Sequence, residues 1–174
     1  MYILYIKSLE NNLSLDSIHI RTELRPGDIG YITYLHVKHY KEEYNYGTAF
    51  ELRVASGLIE FCELYNPANN RIWICEHENK IIGSLLLLNR GETAQLRFFF
   101  ISPGYRSVGL GTKLMDLYME FFHQCGYASS YLWTTHELHA AANLYKKYGF
   151  RLVEEKPSVA FGKPVTEQRY VLEK

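Results

Sequence analysis

The chain has 174 residues with 19 Lys and Arg against 19 Asp and Glu, so its formal charge at neutral pH is zero. The length suits one domain, and 47% hydrophobic with 22% charged residues is ordinary globular composition, which excludes a disordered or collagen-like chain. Zero net charge argues against nucleic acid as a partner, and no apolar run approaches the ~20 residues of a membrane span.

The first residues lack a basic segment, a long apolar stretch and a small-residue cleavage site, so no secretory leader is expected and a cytoplasmic location is. Tyr2–Ile6 reads as an extra strand or an extension, which sets residues 1–17 apart from a domain over 18–174. Ser17–Glu23 alternates around Ile18, Ile20 and Thr22 and reads as a strand. Pro26-Gly27-Asp28 breaks it, with Asp28 as candidate N-cap of a helix carrying Ile29, Ile32, Leu35, His39 and Tyr40. A second helix opens at Thr48, where Glu51 three residues on suggests a capping box, and carries the stripe Phe50, Val54, Leu58, Phe61 and Tyr65. Asn66–Asn70 ends it.

Strands follow. Arg71–Glu76 and Lys80–Leu88 flank a polar turn and read as a hairpin, with Gly83 marking a bulge or a close backbone approach. Ala94–Ser102 is the most apolar strand and is expected at the centre of the sheet. Strand alternation would send Leu96, Phe98 and Phe100 to one face and Arg97, Phe99 and Ile101 to the other. A patterned helix runs from about Val108 to Gln124 and stops at Gly126, and Ser130–Thr134 is a strand. Leu138–Tyr148 is an alanine-rich helix ended by Gly149, and Phe150–Glu154 and Glu167–Leu172 are the last strands. The order β-α-α-β-β-β-α-β-α-β-β implies an α/β fold, one mixed, twisted sheet with helices on both faces. The β-α-β-α piece from Ala94 implies a parallel strand pair.

Chemistry concentrates at Arg106-Ser107-Val108-Gly109-Leu110-Gly111-Thr112, between the strongest strand and the strongest helix. Glycines there permit a sharp bend and close approach of a ligand, and the free N–H groups of the helix's first turn form an anion site with Arg106 at its rim. A phosphate or pyrophosphate is the natural ligand. The triphosphatase loop G-x-x-x-x-G-K-[ST] is absent, and a dinucleotide fingerprint would need a third glycine where Leu114 stands. No metal is expected. His136-Glu137-Leu138-His139 is one residue short of H-E-x-x-H, and His36-x-x-His39 lacks a third ligand. Cys62, Cys75 and Cys125 form no C-x-x-C pair and read as small apolar core residues.

Arg106-x-x-Gly109-x-Gly111 after a Pro-ended strand resembles motif A of the GCN5-related N-acetyltransferases (GNAT), and Ala141–Phe150, AANLYKKYGF, resembles their motif B. The two stand at that family's usual separation. Stretches such as Tyr40–Tyr44, Leu132–Thr135, Arg151–Pro157 and Thr166–Leu172 look most like the acetyltransferase half of bacterial proteins fused to a MarR-type DNA-binding module. Residues 1–17 are too few for that module.

The resemblance implies a single-domain GNAT fold and acetyl-CoA as co-substrate. Residues Arg106 to Thr112 (Arg106, Ser107, Val108, Gly109, Leu110, Gly111 and Thr112) would cradle its pyrophosphate, and main-chain N–H groups of Phe99, Phe100 and Ile101 would hold the thioester carbonyl. Tyr145, at the motif's tyrosine, would be the general acid for the departing thiolate. The motif's usual Asn is here Leu138, which leaves Asn143 as a candidate cofactor contact. Glu43 is the candidate base, with Glu42 and Glu137 behind it. Transfer to a primary amine would be direct, since no cysteine has a basic partner. A homodimer is compatible with the family. The alternative class is a sensor or scaffold that binds acyl-CoA without turnover, to which the Leu138 departure points.

Overall fold

The computed structural model describes residues 13–174, so the expected strand or extension at Tyr2–Ile6 lies outside the described residues. After a short 3-10 turn at Leu15–Ser17 come β1 (His19–Arg21), α1 (Asp28–Tyr44), α2 (Thr48–Glu63), β2 (Arg71–His77), β3 (Lys80–Arg90) and β4 (Thr93–Ile101). Beyond a 3-10 turn at Pro103–Tyr105 lie α3 (Leu110–Gln124), β5 (Ser129–Thr135), α4 (His139–Lys147), β6 (Arg151–Ser158) and β7 (Val165–Glu173). The seven strands form one sheet in the order β1-β2-β3-β4-β5-β7-β6. Among the described residues only β4 and β5 pair in parallel. The element order is the expected one.

Both faces of the sheet are covered, and the leucine run in β3 shows why the sequence demands it. Leu85 and Leu87 enter the core under α3, with Leu114, Tyr118 and Phe122. Leu86 and Leu88 enter the core under α1 and α2, with Ile32, Leu58 and Phe61. A strand buried on both faces reads as a continuous apolar run rather than an alternating one. Burying each such side chain contributes roughly 1.5–3 kcal/mol.

The helix starts differ from expectation. Asp28 is not the N-cap of α1; Gly27 is, at φ 96°, a left-handed conformation that glycine takes without strain. The Asp28 carboxylate instead accepts two bonds at 2.8 Å from buried Arg21, which also reaches Glu76 at 2.8 Å and ties β1 and β2 to the start of α1. The capping box at Thr48 is also absent: Gly47 is the cap and no side chain bonds the first turn of α2. Helix α3 begins at Leu110 rather than Val108, because Ser107 (φ 71°) and Gly109 (φ 89°) both turn the chain left-handed just before it.

β6 runs to Ser158, through Pro157, which is tolerated because β6 is an edge strand of the sheet. Cys75 is buried, as expected for a core residue, but Cys62 is exposed and Cys125 only half-buried. Among the described residues no helix is long and apolar enough to cross a membrane.

Candidate active site

The site begins with a break in the sheet. β4 and β5 pair only from Thr93 to Gln95 against Ser129 to Tyr131, so from Leu96 onward the β4 edge facing β5 has no strand partner. On its other side, β4 carries a bulge. Ser84 pairs with Phe100 and Leu86 with Arg97, so Leu85 stands opposite two residues, Phe98 and Phe99. Phe98 takes φ 49°, and the Ser84 hydroxyl donates to its carbonyl at 2.9 Å. Gly83 lets the strands close, since a Cβ there would sit 2.9 Å from the Phe100 carbonyl oxygen. The register of β2 against β3 also shifts beside Gly83, so this glycine marks both a bulge and a close approach.

The bulge corrects the expected alternation. Leu96 packs under α3, whereas Arg97 and Phe98 both turn toward α2, where a Cβ on Gly57 would strike them at 2.3 and 2.7 Å. Phe99 and Ile101 return to the α3 side, and Phe100 stacks on His39 and meets His36 of α1 at a tilt. One extra residue reverses the facing of everything before it.

Two cavities open where the sheet splays. The first, about 320 Å³, lies between α1, α2 and strands β4, β5 and β7, and Tyr145, Phe99, Glu167 and Thr134 are among its lining residues. The second, about 300 Å³, runs past Phe99, Phe100 and Ile101 to Arg106, Ser107 and Gly111. They share Tyr40, Phe99, Leu138 and Ala141. The second cavity thus ends at the first turn of α3, whose N–H groups no side chain caps; the helical ladder begins with Lys113 bonded to Gly109. This is a fit for an anionic, extended ligand.

The glycine loop divides its labour differently from expectation. Gly109 meets nothing within 4 Å and is needed for its φ. At Gly111 a Cβ would press on Leu144 at 3.3 Å, so that glycine lets α3 pack against α4 and β4. Leu110 buries its side chain in the core, Val108 packs against it, and the Thr112 carbonyl accepts the Tyr148 hydroxyl at 3.0 Å.

Arg106 does not stand free. It donates twice to Glu43, both at 2.7 Å, and once to the Ile101 carbonyl at 3.0 Å, binding the loop to α1 and the end of β4. The Arg106 hydrogen bonds hold the Glu43 carboxyl below its ordinary range, so Glu43 keeps its negative charge and is a weakened proton acceptor. Glu137 is also engaged, accepting from Lys163 at 2.6 Å and from Tyr46 at 3.1 Å. Glu42 is exposed beside His39. Asn143 sits on the exposed side of α4 and lines neither cavity, whereas Leu138 lines both.

Tyr145 is 5% exposed, packed against Phe99, Phe150 and Tyr170. Among the described residues its hydroxyl has no hydrogen-bond partner, and burial pushes its pKa well above the ordinary phenol value, so it stays protonated. Three residues of the first cavity are not among the expected site residues, and His36 is weighed in the sequence only as a metal ligand. His36 is bound through Nδ1 to the Ile32 carbonyl at 2.9 Å, which fixes the proton on Nδ1 and leaves a buried Nε2 lone pair without a partner. Burial pushes its pKa down to about 4. Thr134 has a buried hydroxyl oxygen without a partner, and Glu167 is a carboxylate only 5% exposed. Nothing local signals Glu167, since the residues sharing its face of β7 include the charged Arg169 and Glu173.

The sequence profile of the acetyltransferase (GNAT) family matches residues 32–150, which include β4, the glycine loop and Tyr145. The chain belongs to the GNAT acetyltransferase family. It is similar to the uncharacterized N-acetyltransferase YjgM of Escherichia coli K12, 28% identical over 56% of this chain and 60% of that one. It is also similar to the probable N-acetyltransferase camello of Xenopus tropicalis, 29% identical over 48% of this chain and 39% of that one. The matches therefore span less than two thirds of these relatives' lengths. Among solved structures, an acetyltransferase from Streptococcus agalactiae shares the fold with a TM-score of 0.71 at 21% identity, covering 92% of this chain and all of that one. The acetyltransferase yncA from Salmonella typhimurium, solved with its cofactor acetyl-CoA, gives 0.66 at 16% identity over 90% of this chain and 94% of that one.

Proposed function

We propose that the chain is an N-acetyltransferase that moves the acetyl group of acetyl-CoA directly onto a primary amine. The observation that carries this reading is the meeting of two cavities at Phe99, one leading to the uncapped first turn of α3 and the other to Tyr145. In this reading the N–H groups of Leu110, Gly111 and Thr112 hold the pyrophosphate, with Ser107 and Val108 shaping the loop around it. Arg106 acts through its pair with Glu43, fixing the loop to α1 rather than meeting the phosphates alone. Acetyl-CoA supplies an activated acyl group as a thioester. The unpaired β4 edge from Phe99 to Ile101 aligns that thioester and offers main-chain donors where negative charge develops on its oxygen.

Tyr145 gives its proton to the leaving sulfur, and the attacking amine gives up its own proton to solvent water at the mouth of the first cavity. The high pKa of Tyr145 does not bar its donation, because the same apolar burial makes a thiolate released beside it correspondingly basic. The amine enters through the first cavity, opposite the second, and positioning supplies much of the acceleration. The reading needs one copy of the chain, and a homodimer remains compatible with it. It carries with it a cytoplasmic location, and the stretches shared with MarR-fused bacterial acetyltransferases support that subgroup.

Calorimetry on a Gly109→Glu variant tests the placement. A side chain at φ 89° is strained and its carboxylate would face the phosphates, so CoA binding should be lost. Undiminished CoA affinity would contradict the placement. Thermal stabilisation by acetyl-CoA with no thiol release across a panel of amines would favour the non-catalytic binder, the reading for which Leu138 speaks.

A further inference from the structure

We infer that Tyr40 is a further catalytic residue of the transfer: its hydroxyl, at the junction of the two cavities, donates a hydrogen bond to the thioester oxygen as that oxygen becomes negative. The inference rests on the acetyltransferase reading and adds a side-chain donor to the main-chain ones of β4.

Of the four residues that border both cavities, Phe99, Leu138 and Ala141 are apolar, and Tyr40 alone carries a polar side-chain atom. Its position is well fixed. Phe100 lies 5.2 Å from His39 and 5.1 Å from His36, so the residues one and four before Tyr40 hold this stretch of α1 against β4. The Tyr40 ring stacks on Phe50 at 4.9 Å and touches Tyr44 and Tyr46. The neighbouring Tyr46 hydroxyl is committed to Thr135 at 2.8 Å and Glu137 at 3.1 Å. The Tyr40 hydroxyl has no partner among the described residues, and, unlike His36 Nε2 and Thr134 Oγ1, it is not sealed from solvent, so it opens into the cavity. Burial holds its pKa above the ordinary phenol value, which keeps it a donor at neutral pH.

An oxygen that carries negative charge accepts several hydrogen bonds, and the edge of a single strand delivers few at one point. Ser102 donates its N–H to the Ile82 carbonyl at 2.8 Å, so alternation turns the Phe100 N–H toward β3 as well and that of Ile101 to the open edge. The Ile101 carbonyl, which accepts from Arg106 at 3.0 Å, faces the same way. Tyr40 supplies a donor from α1, on the other side of the space that the thioester occupies. In the transfer the amine nitrogen bonds to the acetyl carbon and the carbonyl π pair moves onto oxygen. Tyr40 keeps its proton and donates to that oxygen; a neutral phenol in an apolar, water-poor site stabilises such charge without reorganising. As the pair returns, the carbon–sulfur bond breaks and Tyr145 protonates the sulfur. The amine's proton passes to water, and water restores the proton of Tyr145.

The test reads binding and turnover separately on Tyr40→Phe, which keeps the ring. The binding probes are S-ethyl-CoA, which lacks the carbonyl oxygen, and the ketone analogue of acetyl-CoA in which a methylene replaces the sulfur. Calorimetry should show the wild-type protein preferring the ketone, and Tyr40→Phe should cut that preference about 2–10-fold, the range for one hydrogen bond. S-ethyl-CoA affinity, which does not involve the hydroxyl, should stay at its wild-type value. With an accepted amine, kcat for thiol release should fall about 100-fold while KM for the amine holds. An undiminished ketone preference, or kcat at the wild-type rate, would overturn the inference. The preference is a ratio of two affinities measured on the same folded molecules, so a loss of stability in the variant does not enter it. A Tyr40-dependent ketone preference in a protein that releases no thiol with any amine sinks the acetyltransferase reading and leaves the contact. Amine-dependent thiol release that Tyr40→Phe leaves unchanged does the reverse.

Discussion

Replacing Gly83 by alanine probes the β4 bulge from a position that itself lines neither cavity. The new methyl would lie 2.9 Å from the Phe100 carbonyl oxygen and 3.6 Å from Cys75 Cβ and Ile101 Cγ1. The close atom belongs to the backbone, so no side chain can swing away. To reach the ~3.3 Å of an ordinary carbon–oxygen contact, β4 must retreat by roughly 0.4 Å. Overpacking of this kind typically costs about 1–3 kcal/mol, equivalent to a fall in melting temperature of about 2–12 °C for a chain of this size. The retreat also displaces the main chain of Phe99 and Phe100, which would align the thioester. If a 1 Å misplacement costs about 100-fold, 0.4 Å costs about 6-fold in kcat. CoA affinity should hold, because the first turn of α3 is not in contact with Gly83. Thermal unfolding, CoA calorimetry and thiol-release kinetics on Gly83→Ala measure the three quantities. Wild-type stability together with wild-type kcat would refute the role given to the bulge.

Two further outcomes are expected. His36 has its pKa lowered by burial, so between pH 6.5 and about 4 the unfolded chain binds a proton that the folded chain refuses. Stability should therefore fall as pH drops through that window, by about 3 kcal/mol from this residue, and denaturant titrations of His36→Phe should show that fraction of the pH dependence gone. Burial raises the thiol pKa of Cys75 and Cys125, and partial desolvation with the neighbouring Glu63 raises that of the more exposed Cys62, so none of the three is an activated thiol. A triple Cys→Ser variant should keep its thiol-release rate, and loss of activity with retained fold would point to an acetyl-enzyme.

Much of the fold was legible because the sequence repeats its signals. The stripe on α2, the leucine run of β3 and the glycine-turned start of α3 each state a period and a boundary, and the structure agrees to within a few residues. The two motifs likewise placed the glycine loop and Tyr145 on elements that border connected cavities. What the sequence did not show depends on contacts between distant segments. No local pattern reveals that β4 carries an extra residue at Phe98–Phe99, because a bulge is defined by the register of the partner strand. Arg106 and Glu43 are 63 residues apart, and nothing in either neighbourhood signals that they neutralise each other. The helix caps differ from expectation for a local reason: Gly27 and Gly47 occupy the cap positions next to Asp28 and Thr48. The motif points to Asn143 as a cofactor contact, whereas helical geometry turns it to solvent.

The account's central claim is that the thioester lies between Phe99 and Tyr145, with Tyr145 giving the proton. Tyr145→Phe removes only the hydroxyl and keeps the ring packed against Phe99, Phe150 and Tyr170. Thiol release from acetyl-CoA with an accepted amine is the direct measurement. The account predicts unchanged CoA affinity and melting temperature with kcat lowered ~100-fold or more. Turnover of Tyr145→Phe at the wild-type rate would contradict it and leave Tyr145 as a core residue.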